Sequence, residues 1–151
     1  MEADTLKKIK AELLEALKSS DRFRADTLRY LLSVIHNAEI SKGKGATLTE
    51  EELAELLQKQ GREREESIAA YEKGNRPDLV EKEKKELEII KGYLPEQFSE
   101  EEIKKLAEEA IAKVGAKIPQ DMGRVMGVLM PEVKGKADGA LVAKVVKELL
   151  G

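Results

Sequence analysis

Thr49-Glu50-Glu51-Glu52-Leu53-Ala54-Glu55-Leu56-Leu57 decides the fold class. The Thr49 hydroxyl is placed to accept from the backbone three residues on, and the Glu52 side chain to accept from Thr49, the reciprocal box that opens a helix. Leu53, Leu57, Ile68 and Tyr71 then recur at the spacing of one helical face. The three glutamates oppose the positive end of the helix dipole, which explains them without a metal.

The same grammar holds on both sides. Leu6, Ile9, Leu13 and Leu17 form one stripe, and Asp21 reads as the N-cap of a second helix carrying Leu28, Leu31, Leu32, Ile35 and Ala38. Ser41-Lys42-Gly43-Lys44-Gly45 has no period and two glycines, and reads as a flexible connection. Gly74-Asn75-Arg76-Pro77 ends the third helix. A fourth, starting at Pro77 or Asp78, carries Leu79, Leu87, Ile90 and Leu94. Pro95 disfavours helix at Leu94 and marks a boundary. Beyond it, Ser99 and Glu102 repeat the capping box, followed by Ile103, Leu106, Ala110, Ile111 and Val114, with Gly115 as a C-cap. Pro119 suits a first turn, Met122, Val125, Met126, Leu129 and Met130 continue, and Pro131 is expected to stop that helix. Asp138 caps a last helix with Leu141, Val142, Val145 and Leu149. No stretch alternates with period two for long enough to make a strand. The expectation is an all-α protein: a four-helix, bundle-like domain over residues 1–94 and a smaller three-helix domain over 95–151.

Composition excludes several functions. The 27 basic and 30 acidic residues leave a net charge of -3, so contact with nucleic acid requires a local patch. The absence of cysteine excludes disulfides, thiolate metal sites and cysteine nucleophiles. No apolar run approaches 18 residues, so no membrane partner or span is expected. The charged, amphipathic start from Met1 to Lys10 does not read as a signal peptide, which makes a cytoplasmic location the expectation.

Catalytic signals are scarce. His36 is the lone histidine, at the edge of the second helix's apolar face between Leu32 and Ile40, and no Gly-x-Ser-x-Gly accompanies it. Phosphate-cradling glycine loops are missing too. No catalytic residue, cofactor or metal ligand is therefore assigned.

Three features call for another explanation. In the third helix the stripe lands on Gly61 and Arg64, and in the fourth on Glu83, all poor core residues. Gly61 would permit close packing, and Arg64 would pair with Glu83 in a partly buried bridge; snorkelling of Arg64 to water is the other reading. Gly123 and Gly127 share a helix face and would let another backbone come close. Finally, Lys134-Gly135-Lys136-Ala137-Asp138-Gly139 puts two cations around a glycine just before a capped helix. Ammonium groups and backbone N–H donors at a helix start suit a phosphate, with Lys117 and Arg124 extending the patch. A solvated loop whose Asp138 merely caps the helix is the plainer reading of the same residues.

Asp121-Met122-Gly123-Arg124-Val125-Met126-Gly127, running through Met130 into Lys134-Gly135-Lys136-Ala137-Asp138, resembles the GatB/YqeY family, and specifically its free-standing YqeY-like proteins. Glu66-Ser67-Ile68, Tyr71, Arg76-x-Asp78-Leu79, Glu83, Tyr93-Leu94-Pro95-Glu96-Gln97 and Asn37-x-Glu39-Ile40 carry the likeness through most of the chain. Gly61 departs from it, since a larger apolar residue is expected there. The resemblance implies kinship with the helical tail of the B subunit of the tRNA-dependent amidotransferase, which contacts tRNA away from the active site. The implied role is a tRNA-binding or accessory module. Lys134, Lys136, Arg124 and Lys117 would meet phosphate, and Gly135 and Gly139 would allow backbone approach. Carbon-nitrogen ligase activity with glutamine as amido donor is a family label without matching residues here. The amidotransferase or another protein would be the further partner, and the alternative is a helical protein-protein adaptor, in which the first domain with its Arg64/Glu83 seam would hold a partner helix.

Overall fold

A computed structural model describes residues Met1–Gly151 and is all-helical. The elements are α1 (Asp4–Lys18), α2 (Arg22–Lys42), α3 (Glu50–Lys73), α4 (Pro77–Lys91), α5 (Glu100–Val114), a 3-10 turn (Pro119–Asp121), α6 (Met122–Val133) and α7 (Gly139–Leu150). The chain divides into two compact units, Met1–Leu94 and Pro95–Gly151.

In the first unit α1 packs on α2 and α3 on α4. Leu6, Ile9, Leu28, Leu31, Ile35, Leu53, Leu57 and Ile90 are buried together. Each large aliphatic side chain removed from water contributes about 1.5–3 kcal/mol, which is what holds these helices in place. The helix starts follow their local chemistry. Asp21 Oδ1 accepts from Arg24 N, and Thr49 and Glu52 exchange both bonds of their box. Glu52 also receives Lys42 Nζ at 2.6 Å, and that ammonium reaches the Thr47 carbonyl at 2.8 Å. One lysine thus laces the connection expected to be flexible. The chain start is pinned as well: Thr5 donates its N–H and its hydroxyl to the Glu50 carboxylate, both at 2.8 Å.

In the second unit Ile103, Ala107, Val125, Leu129, Val133, Val142 and Val146 form the core. Ser99 and Glu102 exchange capping bonds, and Gly115 closes α5 at φ +69°, where a side chain would be strained.

Two expectations need correction. Leu17 is 44% exposed while Ala16 is buried. Four-residue steps from Ile9 through Leu13 to Leu17 drift about 40° each past the core face, and Ala16 stays on it. Pro131 does not stop α6, which runs to Val133. In the last turn its missing N–H costs one bond, to the Gly127 carbonyl, and buried Val133 keeps the turn packed.

Candidate nucleic-acid interface

Between α6 and α7 the chain alternates: Lys134 is exposed, Gly135 buried, Lys136 exposed, Ala137 buried. Backbone chemistry imposes this pattern. The Val133 carbonyl accepts from both Lys136 N and Ala137 N at 2.9 Å, which closes the turn. Gly135 adopts φ +80°, a left-handed conformation that favours glycine. Its carbonyl accepts from Gln97 Nε2 at 3.0 Å, and the Lys136 carbonyl accepts from Phe98 N at 2.8 Å. The segment ahead of α5 therefore clasps the turn from inside. Lys136 Nζ stands 5.7 Å from the Phe98 ring centre, a cation–π contact that orients its stem.

This arrangement keeps the two cations and spends several of the backbone donors expected beside them. The N–H groups of Lys136 and Ala137 are spent on Val133. At the start of α7, Ala140 N donates to Asp138 Oδ1 at 3.3 Å. Gly135, being buried, offers phosphate no backbone approach. A Cβ on Gly139 would meet the Met130 side chain at 3.6 Å, ordinary van der Waals contact.

Arg124 is exposed but committed. Its Nη1 donates to the Val114 carbonyl at 3.2 Å and its Nη2 lies 3.0 Å from Asp121 Oδ1. Asp121 Oδ2 accepts from Lys117 N at 3.0 Å and Ile118 N at 3.4 Å. These donors, Lys117 N–H first and then Arg124, hold the Asp121 carboxyl below the usual carboxylate range. Arg124 and Asp121 thus tie the end of α5 to the start of α6. The Lys117 side chain is exposed on that loop.

Gly123 and Gly127 do not pack against another helix. Both are exposed, and a Cβ on either would meet nothing within 4 Å. Their four-residue spacing does share a face, but that face of α6 is turned away from Val125 and Leu129 in the core.

In the first unit, Arg64 Nε lies 3.5 Å from Glu83 Oε2 and 2.9 Å from Glu86 Oε2, and the Arg64 and Glu83 side chains are only 14% and 16% exposed. Neither contact is a hydrogen bond, so Nε and Glu83 Oε2 are buried without a partner. The guanidinium also stacks on Tyr30 of α2, 5.2 Å from its ring centre. Gly61 is buried one turn earlier, where an added Cβ would meet Leu87 Cδ1 at 3.6 Å. The seam is closed by α3 and α4 themselves, so it is not an open groove for a partner helix. The apolar stripes of the two helices lead to Arg64 and Glu83 but not to Glu86 or Tyr30. Glu86 was visible as the next acidic residue one turn along; Tyr30 left no local signal. His36 is exposed on α2.

The family profile described as Yqey-like protein matches residues 6–150. Altered inheritance of mitochondria protein 41, mitochondrial, from Pyrenophora tritici-repentis is 33% identical over 149 residues, spanning 97% of this chain and 81% of that protein. The protein of the same name from Saccharomyces cerevisiae is 30% identical over 149 residues, spanning 93% of this chain and 80% of its own length. The one from Lachancea thermotolerans is 43% identical over 91 residues, which are 60% of this chain and 48% of that relative. These names correct the cytoplasmic expectation, since all three relatives are named as mitochondrial. Charge and hydropathy near the start of a chain exclude a membrane span more firmly than they assign a compartment. No helix is long and apolar enough to cross a membrane.

Proposed function

Because this chain belongs to the YqeY-like family, we propose that it is a non-catalytic accessory protein that binds tRNA through the backbone, with Lys134 and Lys136 as the phosphate contacts. The supporting observation is the clasped turn: two exposed ammonium groups on a backbone fixed by four hydrogen bonds, with Gly135 and Ala137 anchoring it from below. A backbone already fixed lowers the ordering cost of meeting a phosphate. Lys117 extends the patch; Arg124, held by Asp121 and Val114, shapes it. Contact is through ammonium groups alone, so recognition follows backbone and shape rather than bases.

The test is tRNA binding across a salt series for the wild type and for Lys134→Glu/Lys136→Glu. Each phosphate contact contributes a slope of roughly 0.7–0.9 in log affinity against log salt. The expected result is weaker binding by the double variant and a slope smaller by about two such contacts. Equal, or equally negligible, binding by both proteins overturns the reading.

The exposed glycines favour a second reading, a helical protein-protein adaptor. Gly123 and Gly127 each cost α6 roughly 0.5–1 kcal/mol relative to alanine. Nothing within the chain uses the space they leave, and Ile118 nearby in sequence is 51% exposed. Co-purification of a protein partner free of RNA, abolished by alanine at both glycines, would favour it over the first.

A further inference from the structure

α4 brings Glu83 and Glu86 to one face, three residues apart, and α3 answers them with a single cation, Arg64. The Arg64, Glu83 and Glu86 side chains are 14–16% exposed. Two carboxylates therefore share one guanidinium largely out of water, which leaves a surplus negative charge. Both lie nearest the same Arg64 Nε, which hydrogen-bonds neither and leaves Glu83 Oε2 unpartnered. The other groups around them do not cancel the surplus. Tyr30, from α2, is neutral and lies over Arg64. Gln60, one turn before Arg64 on α3, is buried and neutral. Lys82, beside Glu83 on α4, is exposed and acts only through space. Burial and the Glu86 charge both favour the protonated form of Glu83, while Arg64 and Lys82 favour the ionised one; the net direction is upward from the usual carboxylate range.

We propose that the Arg64, Glu83 and Glu86 seam is a proton-responsive latch, holding α4 on α3 more firmly when Glu83 carries a proton than when it is ionised. A neutral Glu83 leaves Arg64 and Glu86 as a balanced pair, and its own O–H becomes a donor in a place short of donors. The latch takes up one proton and needs no other reactant. A group that binds its proton more tightly in the folded chain stabilises that chain fully below its unfolded value, and loses this contribution as pH rises through its folded value. The latch is therefore tightest in acid and loosens towards neutral pH. Other carboxylates pull the opposite way: Glu52, Asp78 and Asp121 are held below the usual range and lose their contributions in acid. A comparison with Glu83→Gln cancels those effects.

Thermal unfolding of the full chain, wild type against Glu83→Gln, tests the latch from about pH 7.5 down to about pH 4.5, a span that ends near the ordinary glutamate value. The variant should melt above wild type at the upper end, and the gap should close on acidification. Across the responsive window the ratio of the two unfolding constants should change by at most about tenfold per pH unit. Protection factors of the α4 amides in wild type should rise over the same window. A carbon-13 titration of the Glu83 carboxyl in the folded wild type reads the site without any substitution. Parallel melting profiles, or a Glu83 carboxyl that titrates in the ordinary glutamate range, overturn the proposal. The outcome is independent of tRNA binding.

Discussion

Arg64 shows how much a single side chain can be asked to do. It stacks on Tyr30 and faces Glu83 and Glu86, so it links α2, α3 and α4. Removing one partner of a buried ion pair costs about 3–5 kcal/mol, because the remaining charges stay buried without compensation. Arg64→Met should lose about 3 kcal/mol in urea denaturation at neutral pH, and less in acid, where the stranded carboxylates protonate. Loss below about 1 kcal/mol would place Arg64 among surface pairs instead. The sequence made Arg64 and Glu83 visible because charge on an apolar stripe is anomalous at any position. It could not show that Lys136 and Ala137 spend their N–H groups on Val133, since that depends on the backbone angles at Gly135. The cations of the candidate interface were therefore readable, and the commitment of the Lys136 and Ala137 N–H groups was not.

At the level of the helix, the ends were easier to read than the faces. Both capping boxes, the Asp21 and Asp138 caps, and the Gly115 C-cap depend on neighbours within four residues, and the structure contains them. Faces depend on what lies opposite. Leu17 and Ala16 could not be ranked without knowing where α2 runs, and the four-residue spacing of Gly123 and Gly127 gave a shared face without saying whether anything covered it. Since nothing does, Gly123→Ala and Gly127→Ala should each stabilise the chain by roughly 0.5–1 kcal/mol, through higher helix propensity and a less flexible unfolded chain. Chemical denaturation of the single variants measures this. Destabilisation by either would show that α6 needs glycine there for a backbone reason.

At the level of the molecule, each unit has its own core: Leu6 through Tyr93 in the first, Ile103 through Leu150 in the second. Pro95 marked the sequence boundary through its local effect on Leu94. A fragment of residues 95–151 should keep its helical circular dichroism and unfold cooperatively, although small domains bury a lower fraction of their surface and are less stable for it. A fragment without a thermal transition would show that its core needs the rest of the chain. The first unit cannot be shortened from its N-terminus so freely, because Thr5 and Glu50 are joined across 45 positions of sequence. That bond also sets an order of events during synthesis. At roughly 5–20 residues per second, the opening turn of α1 waits several seconds on the ribosome before its anchor has been made. Until then Leu6 and Ile9 have α2 to pack on but lack the part of their core that Leu53, Leu57 and Ile90 supply, which leaves apolar surface on a nascent chain for a holding chaperone.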